Sequence, residues 1–253
     1  MQLLVSVRSA DEARRALDGG ADIIDAKEPL AGALGAVSLP TFAEIVAAVA
    51  SRRPVSAALG DLSDADLAEG QASAFARAGA AIVKVGFAGI ASMSRLSAVI
   101  AAASRGAAAG GTGLVAVAYA DALEANAFAP GVILEAAVNA GAQGVLLDTF
   151  RKDAPSLFEW VTESWLTAWL RDAQARGLFT AVAGRLTIED LARVMPLGAD
   201  LVGVRGAACE GGRDGRISEA RVQRLKAALR GPMHCTRPSA DLLAASGRSG
   251  RRA

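Results

Sequence analysis

Eight short, nearly unbroken apolar runs punctuate the chain, at residues 3–7, 21–27, 54–60, 81–86, 114–120, 144–150, 179–184 and 201–205. Most are bounded by glycine or by polar residues. Continuous rather than alternating apolar runs mark strands buried on both faces, as in parallel sheets covered by helices. Longer stretches with helical start signals lie between them. Ser9 followed by Glu12, and Ser156 followed by Glu159, have the spacing of capping boxes, in which side chains satisfy the unpaired N–H groups of a first turn. Thr187 and Asp190 form a near variant, and Pro130 suits a first helical turn. In "DGGADII", "RAGAAIV", "NAGAQGV" and "PLGADLV" a helix runs into glycine before the next strand, as when glycine ends a helix in the left-handed conformation.

This degenerate repeat of helix, small turn and buried strand predicts an α/β fold. A single (β/α)8 TIM barrel over residues 1–230 fits the 253-residue chain, since such barrels take about 250 residues. A doubly wound open sheet is the alternative, but it ordinarily carries a glycine-rich fingerprint after its first strand, and "SVRSAD" is not one. Residues 231–253 show no periodicity, and "SGRSGRRA" is expected as a disordered, solvated tail.

Composition narrows the function classes. A net charge of +1 offers no strong field to nucleic acid or membrane. Hydrophobic residues make up 52% of the chain but aromatics only 4%, so the core is built from small aliphatic side chains. No secretory signal is expected ahead of the strand-like "MQLLVSV", and no apolar stretch reaches the ~18 residues a membrane span needs. Cys209 and Cys235 have neither metal-like nor disulfide-framework spacing, so a reducing cytoplasm is expected. His234 is the only histidine and lies in the expected tail, which argues against a Ser–His–Asp or Cys–His mechanism and a histidine-rich metal site. Trp160, Trp165 and Trp169 follow the sixth strand, and the last two share a helical face. That face suits packing on the barrel or a subunit interface, and a homo-oligomer is expected.

The chemistry lies in the lysines. There are four, and three of them, Lys27, Lys84 and Lys152, fall at or just beyond the ends of strands two, four and six. An ammonium can lose its proton and attack a carbonyl; a guanidinium cannot. Barrel chemistry sits at the C-terminal ends of the strands, and alternate strands supply alternate layers of the interior. Asp25 and Lys27 are two apart, so both can face the mouth, and Asp148 ends the sixth strand ahead of Lys152. Three lysines and two aspartates therefore converge. An ordinary lysine, with pKa near 10.4, is neutral at pH 7 in about one molecule in 2,500. Burial and neighbouring ammonium groups would free one amine for imine formation, while the other two pair with Asp25 and Asp148. Ordinary buried ion pairs are the alternative. Asp61 and Asp121 follow strands three and five, where either capping or chemistry is open to them. Cys209 has no evident base beside it and reads as a packed residue.

Barrels often hold phosphate in the loops after strands seven and eight. Here these contain Gly184 and Arg185, then Arg205 and Gly206, with Gly211 and Gly212 following. Glycine admits backbone N–H groups to the anion and arginine adds a fork of donors; tight turns alone would also explain the glycines.

In order along the chain, "LLVSV", "GGADIIDAKEPLAGALGA", "ALGD", "VKVG", "AYAD", "LLDTFRKD", "AGRL" and "GVRGAACEGGRDG" resemble the (5-formylfuran-3-yl)methyl phosphate synthase family, also called 4-(hydroxymethyl)-2-furancarboxaldehyde-phosphate synthases. The likeness spans roughly residues 1–229. It implies a TIM-barrel lyase of methanofuran-type cofactor biosynthesis in one-carbon metabolism. Two molecules of glyceraldehyde 3-phosphate would condense with loss of phosphate and water, and no metal or organic cofactor is implied. By position, the Schiff-base lysine would be Lys27, its supporting lysines Lys84 and Lys152, and its acid/base carboxylates Asp25 and Asp148. Arg185 departs from the resemblance, standing where a small residue is expected. A class I aldolase-type enzyme and a non-catalytic phosphate-binding barrel are the other readings.

Overall fold

The structure, a computed structural model, describes residues 1–230; the expected tail at 231–253, with His234 and Cys235, lies outside the described residues. Eight parallel strands close into a barrel in sequence order: β1 (Gln2–Val7), β2 (Ile23–Ala26), β3 (Val55–Asp61), β4 (Ile82–Gly86), β5 (Gly113–Tyr119), β6 (Gly144–Asp148), β7 (Phe179–Val182) and β8 (Leu201–Val204). β8 pairs back onto β1, which excludes the open sheet. The helices are α1 (Ala10–Asp18), α2 (Leu39–Val49), α3 (Ala65–Arg77), α4 (Met93–Ala109), α5 (Pro130–Asn139), α6 (Glu163–Ala175), α7 (Ile188–Val194) and α8 (Glu219–Ala228). A two-residue ribbon, β9 (Cys209–Glu210) with β10 (Arg216–Ile217), lies between β8 and α8.

Each strand is buried on both faces, and the period of two sorts its side chains. Leu3, Val5 and Val7 pack outward against the helices. Leu4, Ile23, Val115, Val117, Leu146 and Leu201 pack inward and fill the lower barrel. Burying each such side chain contributes about 1.5–3 kcal/mol. Alanine lets the helices sit close to the sheet: Ala13, Ala16, Ala68, Ala72, Ala103 and Ala107 are all fully buried. α3 and α4 approach most tightly at Gly106, where a Cβ would fall 2.2 Å from the carbonyl oxygen of Glu69.

The glycine turns are as read from the sequence: Gly20, Gly79, Gly141 and Gly198 all have positive φ. Thr187 and Asp190 form a complete capping box, and Pro130 opens α5. The other two expected boxes differ. Ser9 caps Glu12 N–H, but the Glu12 carboxylate accepts from Arg8 N–H and from Arg205, because a buried guanidinium needs its charge. Ser156 caps no helix. Residues Leu157–Glu159 make one 3-10 turn, held to the β7 loop by Leu157 N–H on Gly184 C=O, and α6 begins later with Thr162 as its cap. Trp165 and Trp169 stack at 6.4 Å; Trp169 is buried and donates to Pro130 C=O, whereas Trp165 is exposed.

Candidate active site

Strand register sets the floor of the barrel mouth. Ser6, Asp25 and Ser56 are partners across β1, β2 and β3. The Ser6 and Ser56 hydroxyls donate to the two Asp25 oxygens at 2.9 and 2.7 Å, and Lys84 reaches across from β4 to place Nζ 2.6 Å from Oδ1. Asp25 is completely buried, with its charge met by one ammonium and two hydroxyls. The serines were missing from the sequence reading. Their signal was available, since each is a lone polar residue in an apolar run.

The β6 side carries the second pair. Lys152 Nζ sits 2.7 Å from Asp148 Oδ1 and also donates to Thr149 C=O. Burial opposes the ionisation of Asp148, but Lys152, Lys27 and the Thr149 N–H outweigh it and hold the carboxyl below its ordinary range. Burial lowers the pKa of Lys152, against the pull of Asp148. The loop that presents Lys152 is fixed by Asp121, which accepts the Phe150 and Arg151 N–H groups at 2.6 and 2.9 Å. Of the two roles open to Asp121, the structure shows capping.

Lys27 stands between these pairs, one residue past β2, where its N–H is held by Val7 C=O at 2.9 Å. It is 7% exposed and has no ion pair among the described residues. Burial pushes its pKa down to about 7; Asp148 and Asp25 pull it up, and Lys152 and Lys84 push it further down. The five residues expected to converge do so, as two closed ion pairs flanking one free amine.

Above them opens a cavity of about 550 Å³, lined by Lys27, Asp148 and Lys152 and by the loops after β7 and β8. That volume suits a small-molecule site. Gly184, Arg185, Arg205 and Gly206, the four residues expected at a phosphate, all line it. Gly184 has φ 117°, and a Cβ there would crowd Thr149 Cγ2 at 3.0 Å. Arg185, exposed and at φ 54°, makes no ion pair among the described residues.

Arg205, which also lines the cavity, is held from within the protein. Its Nε donates to Arg213 C=O at 3.0 Å, Nη1 to Ser6 C=O and Glu12, and Nη2 to Glu12 and Gly215 C=O. A guanidinium has five N–H donors, and all are committed. Arg205 braces β8 against β1 and α1. Arg213, unremarked in the sequence, takes the place beside the cavity. Its Nη2 donates to Pro29 and Gly32 C=O at 2.7 and 2.6 Å, tying the loop after β8 to the loop that follows Lys27.

Across the rim, an irregularity in β3 between Ala58 and Asp61 turns Asp61 over Gly86. Its Oδ1 accepts Tyr119 O–H at 2.8 Å and Ala88 N–H at 3.0 Å. Desolvation raises the pKa of Asp61, and burial keeps Tyr119 a phenol. Cys209 is buried, its thiol pushed up to about 11, as a packed residue should be.

Known proteins resemble this chain in sequence and in fold. A (5-formylfuran-3-yl)methyl phosphate synthase of Methanopyrus kandleri is 39% identical over 233 residues, spanning 90% of this chain and 98% of that protein. One of Methanosarcina mazei is 36% identical over 230 residues, spanning 90% and 98%. A crystal structure of 3-hexulose-6-phosphate synthase superposes with a TM-score of 0.63 at 22% identity, over 90% of this chain and all of that one, which is a likeness of fold. The model of the 4-HFC-P synthases matches residues 3–226, nearly the whole of the described barrel, and the chain belongs to that family.

Proposed function

We propose that this protein joins two molecules of glyceraldehyde 3-phosphate into (5-formylfuran-3-yl)methyl phosphate through an imine on Lys27. The observation that carries the reading is the contrast among the lysines: Lys84 and Lys152 are each closed on a carboxylate, while Lys27 is unpaired and brought to about 7. At pH 7 about half of such a lysine is neutral, roughly a thousand times the ordinary fraction.

The neutral Nζ attacks the aldehyde carbon of one triose phosphate, and loss of water gives the imine. A carboxylate then removes the α-proton to give the enamine. Asp148 is the better placed, because it lines the cavity and its Oδ2 accepts no hydrogen bond among the described residues. Asp25 lies below, engaged by Lys84 and two serines. Phosphate departs from C3 of the activated triose, C3 then bonds as nucleophile to C2 of the second triose once proton transfer has turned that triose into its ketone isomer, and ring closure, dehydration and release from Lys27 follow. Two trioses thus yield one furan, one phosphate and two waters in all. Lys152 offsets negative charge as it develops on oxygen. Arg185, Arg213 and the Gly184 and Gly206 backbone face the phosphate. The reaction needs no redox partner, and the aromatic ring draws it forward.

The test is incubation with glyceraldehyde 3-phosphate alone. A near-ultraviolet-absorbing furan aldehyde and one free phosphate per product are expected. An aldol product with both phosphates retained would support the aldolase reading, and binding without turnover would support a ligand-binding barrel.

A further inference from the structure

We infer that Arg221 and Arg224 of α8 form a second phosphate subsite in the same cavity, one that holds the phosphate of the second triose; this rests on the function proposed above. The cavity does not end at the loops after β7 and β8. It continues to a wall made by Ile188 and Glu189 of α7 and by Arg221, Arg224 and Leu225 of α8. The N-terminus of α8 lies on the catalytic face, because each helix of the barrel follows the C-terminal end of a strand. Helical Cα–Cβ bonds tilt toward the N-terminus, so Arg221 and Arg224, three apart on one face, lean toward the mouth.

Neither side chain has an ion pair or hydrogen bond to protein among the described residues, in contrast to Arg205, which lines the same cavity with its donors engaged. With Arg185 they put three arginines without carboxylate partners on the cavity wall, and Arg213 adds a fourth. The opposing carboxylate, Glu189, has its pKa lowered by its own backbone N–H and the Thr187 hydroxyl rather than by either arginine. A crowd of like charges in a partly closed space is unfavourable until an anion arrives. One phosphate dianion does not match that charge. Two trioses must occupy the cavity together for a carbon–carbon bond to form, and their phosphates repel, so each needs its own counter-charge. Arg185 and Arg213 with the glycine loops serve the first, beside Lys27; Arg221 and Arg224 serve the second.

The double variant Arg221→Gln, Arg224→Gln tests this, since neither residue belongs to the buried core. The half-saturating concentration of glyceraldehyde 3-phosphate for furan formation should rise about tenfold to a hundredfold, the loss expected for charge-assisted hydrogen bonds. Borohydride trapping of the first triose on Lys27 should keep its wild-type concentration dependence. The charge-preserving pair Arg221→Lys, Arg224→Lys should recover most of the lost affinity. Unchanged furan kinetics, or an equal loss in trapping, would overturn the subsite. Calorimetric titration with inorganic phosphate decides independently of turnover. Two equivalents for wild type and one for the Gln pair are expected, even if no furan forms and the proposed function fails. One equivalent for both proteins would refute the inference.

Discussion

Lys84 and Asp25 meet at 2.6 Å on the floor of the mouth, and this contact commits the Asp25 charge to Lys84 rather than to Lys27. Asp25→Asn keeps the shape but leaves the Lys84 ammonium buried without a counter-charge. Stability should fall by about 3–5 kcal/mol, the usual cost of breaking a buried pair. The double variant Asp25→Asn, Lys84→Met should recover much of it. Urea denaturation measures both.

The Lys27 amine fixes a pH dependence. Its folded pKa, about 7, lies below the ordinary 10.5. Below pH 7 the amine is protonated and cannot attack, so trapping of the triose at subsaturating concentration should rise about tenfold per pH unit up to 7 and level off above it. Removing Lys152 should move that midpoint alkaline, because it deletes a like charge and frees Asp148 to hold the Lys27 ammonium. A rate profile from pH 5 to 9 reads both.

The same shift costs stability. Between about pH 7 and 10.5 the unfolded chain binds more protons at Lys27 than the folded one, so stability rises with pH there. The cost is complete below pH 7 and gone above 10.5. Lys27→Met should therefore be more stable than wild type at pH 6 by ~1–3 kcal/mol, with the gap closing toward pH 10. Thermal melts across that range test the sign.

Much of this was legible in the chain. Eight apolar runs with glycine turns gave the barrel, because a parallel sheet buried on both faces leaves continuous runs. Lysine position gave the cluster, because strand parity dictates which side chains share the mouth. What the sequence hid was competition for hydrogen bonds. Arg205 sits beside glycine in the expected phosphate loop, yet Glu12, Ser6 C=O, Arg213 C=O and Gly215 C=O, up to about two hundred residues away, consume every donor. Ser6, Ser56 and Arg213 gained their roles from cross-strand register and loop contacts, which no local pattern encodes. The Ser156 box failed because a tertiary bond from Leu157 to Gly184 fixes that segment as one turn.

Arg205 gives a further contrast. As a brace, Arg205→Gln should lower stability by about 3–5 kcal/mol by stranding Glu12, and Glu12→Gln should do likewise. A phosphate ligand would behave differently, raising the half-saturating substrate concentration with little change in denaturation midpoint.

Asp121 holds the Lys152 loop through two backbone N–H groups. Asp121→Ala should reduce furan formation about tenfold to a hundredfold through misplacement of Lys152, while the imine on Lys27 still forms. Single-turnover trapping beside steady-state turnover separates the two.

The most direct measurement is borohydride reduction in the presence of glyceraldehyde 3-phosphate, followed by peptide mass spectrometry. One triose adduct is expected, on Lys27, and neither adduct nor furan from Lys27→Arg. An adduct on Lys84 or Lys152, or wild-type turnover by Lys27→Arg, would contradict it.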